Sequence, residues 1–335
     1  MALPPAQGDD HGMVETRGVP PVARAHPDGP AVLTEGLTRT FGPVTALSGL
    51  DVAMPHGVVG LVGANGAGKS TLIRVLLGLL PPTTGRAEVL GLDTRDHGLA
   101  IRQVVGYMPE SECLPPDVSA TEFVVHMARM SGLPADVARE RTADTLRHVG
   151  LAEERYRPIG GYSTGMKQRV KLAQALVHDP RLVLLDEPTN GLDPAGRDEM
   201  LALIRRISTE FSISVVVTSH LLGELERISD HLVVIEGGVL QRSTATADAT
   251  GLSGVLLVEV TEAADELVTS LLAAGIQVAH EPGATTFTIG LSDDDAARDV
   301  TAGAAALGVG LVRLQRRRHH LTEIFRPEGG DRVRQ

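Results

Sequence analysis

The apolar run Val58–Val62 leads directly into Gly63, Ala64, Asn65, Gly66, Ala67, Gly68, Lys69, Ser70 and Thr71, and a helical pattern follows. No other stretch constrains the fold as strongly. A continuous apolar run of this length reads as a strand buried on both faces, which requires a parallel sheet covered by helices. The glycine spacing G-x-x-x-x-G-K-S between such a strand and a helix is that of a phosphate-binding loop. Its glycines let backbone N–H groups wrap phosphate oxygens, and the helix N-terminus adds positive potential. In this arrangement Lys69 reaches the β and γ phosphates and Ser70 offers its hydroxyl to Mg²⁺. The helix is predicted over Ser70–Leu80, stopped by Pro81 and Pro82.

A second apolar run, Val183–Leu185, ends in adjacent carboxylates, Asp186 and Glu187. At the carboxyl end of a parallel strand such a pair faces the ligand. Asp186 suits the water shell of Mg²⁺, and Glu187 suits a general base. The alternative, a helix cap or solvated turn, loses ground only because the phosphate loop is present. Strands at Leu182–Leu185 and Ser214–Val217 flank a helix predicted over Asp198–Thr209, the alternation of a parallel sheet. From Leu99 to about Val177 the apolar residues follow helical spacing, with Ser119 and Glu122 as a capping box and Gly132 and Pro134 as stops. A helical subdomain over about 99–178 is therefore expected inside a core spanning 31–242, with short strands at Ala31–Leu33 and Val44–Leu47.

The ends read differently. Residues 1–30 are rich in Pro, Gly and Asp and are expected to be a flexible leader. After a Ser/Thr/Ala linker at 243–254, the pattern is strand Val255–Val260, helix Asp265–Ala274, strands Gln277–His280 and Thr286–Gly290, helix Asp294–Leu307 and strand Gly310–Leu314. This β-α-β-β-α-β order predicts a small ferredoxin-like α+β domain over 255–327, leaving a tail at 328–335. A net charge of −11 opposes non-specific binding to nucleic acid, so none is expected. The cluster Arg316, Arg317 and Arg318, with His319 and His320, reads as a solvated face. No apolar run reaches the roughly 18–20 residues that span a bilayer, Leu72–Leu80 being broken by Arg74. The single cysteine, Cys113, and the absence of a basic segment followed by an apolar one near the N-terminus predict a cytoplasmic chain.

Between the two motifs lies Gly161-Tyr162-Ser163-Thr164-Gly165-Met166-Lys167-Gln168-Arg169. It resembles the L-S-G-G-Q signature of ABC ATPases. The order of phosphate loop, signature, acidic strand, Gly191-Leu192-Asp193 and Ser219-His220 is that family's order. Tyr162, Thr164 and Met166 replace the family's Leu, Gly and Gln, while Ser163 and Gly165 are kept, and the tyrosine and methionine resemble those of exporter ATPases of the daunorubicin and antibiotic-resistance type. The resemblance implies a P-loop ABC ATPase core binding ATP and Mg²⁺. It also implies a head-to-tail dimer, most simply of two copies, in which the signature covers the partner's γ-phosphate.

Further roles follow from that likeness alone. Glu110, in Val105-Gly106-Tyr107-Met108-Pro109-Glu110, stands where most members have Gln and would approach Mg²⁺ with Ser70 and Asp186; the alternative is a solvent-facing Glu. His220 resembles the switch histidine, and Phe41 the aromatic that stacks on adenine, although an aromatic there serves equally as core. Asp193 resembles the aspartate linking the two sites, or is a turn residue before Pro194. Ser163 either meets the partner's phosphate or simply caps a helix. The likeness further implies a separate membrane-spanning permease, a peripheral place on the cytoplasmic side of the membrane, and a closing helix at His320–Phe325. It leaves an importer ATPase, or a soluble ATPase acting on ribosome or DNA, as alternatives to an exporter.

Overall fold

The computed structural model describes residues 29–246, 252–276, 278–281, 283–290 and 296–318. Residues 1–28 of the expected leader, 247–251 of the expected linker, His319, His320, the His320–Phe325 helix and the tail at 328–335 lie outside them, and the rest of the linker is largely taken up by the ends of two strands, Val239–Ala245 and Leu252–Val260.

The centre is a six-stranded sheet. It holds β3 (Val58–Val62), β6 (Val105–Met108), β7 (Leu182–Leu185), β8 (Ser214–Ser219), β9 (His231–Glu236) and β10 (Val239–Ala245), in the order β10-β9-β3-β8-β7-β6. All pairings are parallel except the edge pair β9–β10. Successive residues enter opposite cores, as the two-residue period of a strand requires. Val59, Leu61, Leu182, Leu184, Val216, Val233 and Ile235 face one side. Val58, Val62, Val183, Leu185, Val215, Val217, Leu232 and Val234 face the other.

The first face is covered by α1 (Lys69–Leu76), by Ile101 of α2 (Gly98–Val104) and by an antiparallel sheet. That sheet is ordered β2 (Val44–Met54), β1 (Val32–Phe41), β4 (Thr84–Val89), β5 (Leu92–Asp93). The second face carries α3 (Ala120–Met130), α4 (Ala135–His148), α5 (Thr164–Leu176), α6 (Pro194–Phe211) and α7 (Leu222–Ile228). A Cβ on Gly106 of β6 would overlap the Ala175 carbonyl oxygen, so only glycine lets α5 press directly on the sheet edge.

Several boundaries differ from expectation. α1 ends before the prolines, because Gly78 adopts φ 64°. Gly78 N–H then bonds Val75 O and Leu79 N–H bonds Arg74 O, the Schellman stop. The stretch predicted to be helical from Leu99 contains β6, which belongs to the central sheet, while α2 packs on the first face of that sheet and the helical part begins at α3. There the capping box forms: Ser119 Oγ accepts from Glu122 N at 3.2 Å, and Ser119 N donates to Glu122 Oε2 at 2.8 Å. β1 and β2 run well past Leu33 and Leu47. α6 starts at Pro194 rather than Asp198, since proline is tolerated at the first helical position.

Among the later residues, β11 (Leu252–Val260), α8 (Ala264–Ala273), β12 (Val278–His280), β13 (Thr286–Gly290), α9 (Ala296–Leu307) and β14 (Leu311–Arg318) follow in order. The strands form an antiparallel sheet ordered β12-β13-β11-β14. Leu256, Val258, Phe287 and Ile289 pack on Leu267, Leu271, Val300 and Ala304 of the two helices.

Candidate functional site

In an open parallel sheet, ligands sit beyond the carboxyl ends of the strands. β3, β6, β7 and β8 end there at Val62, Met108, Leu185 and Ser219, which delivers Gly63, Glu110, Asp186 and His220 to one edge. The register continues past the strands, since Asp186 N–H bonds Met108 O at 2.9 Å.

A cavity of about 290 Å³ opens at this edge. It is lined by Ala46, the loop from Ala64 to Thr71, Glu110 and Glu187. Gly68 precedes α1 with φ 102° and no side chain caps the helix, so its first N–H groups are left for the cavity. Lys69, 7% exposed, donates to Gly63 O at 2.6 Å and lies 3.4 Å from Glu187 Oε1. That oxygen accepts no hydrogen bond among the described residues. Glu187 Oε2 lies 3.0 Å from His220 Nδ1, and the His220 ring is half exposed.

The acidic pair is organised by a residue outside the motifs. Thr218 Oγ1 donates to Asp186 Oδ1 at 2.9 Å and accepts from Glu187 N at 2.8 Å. Glu187 itself adopts φ 49°, a left-handed conformation rare for a residue with a side chain. Tyr107 on β6 is pushed up to about 12 by burial and by the nearby Asp186 charge, so it stays a neutral phenol at any working pH. A threonine ending a valine run was the only trace of Thr218 in the sequence.

Ser163, Gly165, Asp193 and Phe41 are not among the residues lining this cavity. Ser163 caps α5, its Oγ accepting from Met166 N at 3.3 Å, and Gly165 follows in the first turn. Asp193 caps α6, its Oδ1 accepting from Gly196 N at 3.1 Å. Phe41 ends β1, 44% exposed, with the Arg39 guanidinium carbon 4.6 Å from its ring centre. It is therefore not a core residue, and it does not line the cavity. Glu110 lines the rim and accepts from Asn190 Nδ2 at 3.3 Å.

Residues 47–190 match the ABC transporter family. The linearmycin resistance ATP-binding protein LnrL of Bacillus subtilis (strain 168) is 30% identical over 300 residues, covering 87% of this chain and 96% of that one. The chain belongs to the ABC transporter ATP-binding family. It is an ATP-hydrolysing cassette of that family. The ABC transporter ATP-binding protein YxlF of the same organism, itself uncharacterised, is 40% identical over 180 residues, 54% of this chain and 59% of that protein. The daunorubicin/doxorubicin resistance ATP-binding protein DrrA of Streptomyces peucetius is 36% identical over 209 residues, 62% of this chain and 63% of that one. The chain thus spans about three fifths of the length of these last two. A dimeric structure of MJ0796, a bacterial ABC transporter cassette, shares the fold with TM-score 0.58 at 23% identity, covering 64% of this chain and 98% of that one. Among the described residues of the cassette no helix is long and apolar enough to cross a membrane.

Proposed function

We propose that this cassette binds MgATP in the cavity over α1, closes head-to-tail on a second ATPase subunit, and couples hydrolysis to substrate export through a separate membrane subunit. The observation that carries the hydrolytic part is the Lys69–Glu187–His220 arrangement at the cavity, with one Glu187 oxygen buried and without a hydrogen bond. The uncapped N–H groups of α1 and the open space beyond Gly66, where an added Cβ would meet no atom within 4 Å, suit a triphosphate. Lys69 exchanges its contact with Gly63 O for the β and γ phosphates.

Ser70, Asp186 and Glu110 together offer the hard oxygen donors that Mg²⁺ takes. Bound there, Mg²⁺ would neutralise charge on the phosphate oxygens. Glu187 accepts a proton from water as the water oxygen attacks the γ-phosphorus; the bond from phosphorus to the β–γ bridging oxygen breaks, giving ADP and phosphate. His220 orients Glu187 and contacts the γ-phosphate, and the half-exposed Phe41 stacks on adenine. Ser163, Gly165 and Asp193 serve the partner's nucleotide.

Export rests on the resistance proteins among the relatives and on the Tyr162 and Met166 form of the signature. The chain would sit on the cytoplasmic side of the membrane, held there by its permease. Glu187→Gln is expected to keep ATP affinity, accumulate ATP-bound dimers and lose turnover by roughly 100-fold or more, the worth of a positioned base. Unchanged turnover sinks the base assignment. Affinity purification of the full chain from detergent-solubilised membranes is expected to bring down a multi-helix integral membrane protein. Ribosomal or DNA partners would overturn the transport reading.

A further inference from the structure

Glu110 is held from two sides by side chains that belong to none of the motifs. Lys171 lies on the buried face of α5, 4% exposed, and its Nζ donates to the Glu110 carbonyl oxygen at 3.0 Å. Asn190, exposed in the turn after Glu187, donates to Glu110 Oε1 at 3.3 Å. Its own carbonyl accepts from Gln168 Nε2 of α5 at 3.1 Å, and Gln168 is also buried. These contacts bind the loop at the rim of the phosphate cavity to the helix that begins at Ser163.

A lysine is a costly residue to bury. Burial lowers the affinity of the Lys171 ammonium for its proton, and Cys113, Glu110, Glu112 and Asp186 oppose that shift. The carbonyl of Glu110 gives the ammonium a fixed partner. The same helix rests on Gly106 without intervening side chain, so α5 cannot slide without carrying β6 and the loop that leaves it.

We propose that Lys171 and Asn190 are positioning residues that lock Glu110 to the signature helix. Movement of Ser163 against a partner's nucleotide is thereby transmitted to Glu110 at this chain's own nucleotide. The inference rests on the reading above that Glu110 serves one site and Ser163 the other. It gives each protomer a mechanical link between the two ATP sites that does not pass through the membrane subunit.

The test is the steady-state ATPase of the purified full-length chain as a function of ATP concentration. Asn190→Asp sets a carboxylate against that of Glu110, and kcat is expected to fall roughly 10-fold while KM stays within about twofold, the pattern of a lost transition-state arrangement. Adding Glu110→Gln restores turnover to about that of Glu110→Gln alone, because the glutamine amide can donate to the new carboxylate. A merely structural role for Asn190 gives no such rescue. Lys171→Met is expected to lower kcat by a similar factor and to bring the Hill coefficient for ATP from near two to near one. Should Lys171→Met fail to fold, the exposed Asn190 pair still decides.

Unchanged turnover in Asn190→Asp, or a loss that Glu110→Gln does not repair, overturns the linkage. Glu110→Ala separates the two levels. If it lowers turnover while the Asn190 and Lys171 variants do not, the linkage fails and the site assignment stands. If it too leaves turnover unchanged, the site assignment fails and takes the linkage with it.

Discussion

Two helix N-termini in this cassette are assigned to phosphate, and they are built in opposite ways. α1 begins after a left-handed Gly68, has no capping side chain, and leaves its first N–H groups to a cavity already lined by Lys69 and Ser70. α5 begins at Ser163, whose hydroxyl accepts the N–H of Met166. The first is complete within one chain and unsatisfied until an anion arrives. The second is satisfied on its own, and in the proposed dimer it would gain a ligand as a partner displaces the internal bond. A single chain should therefore bind nucleotide well and hydrolyse it poorly, with assembly supplying the difference.

The largest expected effect breaks the first terminus. Lys69→Ala should weaken ATP binding to the full chain by roughly 100-fold, the loss of a charge-assisted hydrogen bond worth about 3 kcal/mol, as read by equilibrium titration. Tight MgATP binding by that variant would remove the phosphate loop from the site. Ser163→Ala addresses the second terminus. Turnover per site should fall roughly 10- to 100-fold, somewhat less than the loss of a full oxyanion donor, while ATP affinity of the isolated chain stays the same. A parallel loss of affinity would erase the distinction between the two termini.

Thr218→Val sharpens the comparison within the chain. It leaves Asp186 Oδ1 and Glu187 N without their shared partner, and a buried unsatisfied group costs about 1–3 kcal/mol. A lower melting temperature with several-fold slower turnover is expected, and ATP-driven dimerisation should survive. Ser119→Ala is the smallest change. It removes the capping box of α3, worth about 1 kcal/mol, and a thermal melt should show it without any change in nucleotide affinity.

How much of this was readable beforehand follows physical locality. β3, its glycine loop and α1 were legible because strand, turn and helix are contiguous and each is dictated by its own residues. β6 was not. Val105, Gly106, Tyr107 and Met108 are too few to show a two-residue period beside helical neighbours, and their strand state comes from pairing with β7, distant in sequence. The early end of α1 turned on one glycine adopting a left-handed conformation, a stronger stop than the prolines beyond it.

The site divides along the same line. Lys69, Asp186, Glu187 and His220 could be named because their motifs end strands that share one sheet edge. Thr218, Lys171 and Asn190 could not, since their roles depend on which strand lies beside which and on α5 resting against Gly106. Lys171 did leave a trace, a charged residue on the apolar phase of its helix. Asp193 caps α6 within this chain, and the role proposed for it lies across the dimer.

The left-handed backbone of Glu187 bears on how such a sequence persists. For a side chain of that size the conformation costs on the order of 1 kcal/mol, which glycine would not incur. A library sorted only for folded protein should therefore drift toward glycine at this position, while one sorted for ATP turnover should recover glutamate against the slope. The two searches would part company at a single codon, and the gap between them measures what the protein gives up in stability to stay active.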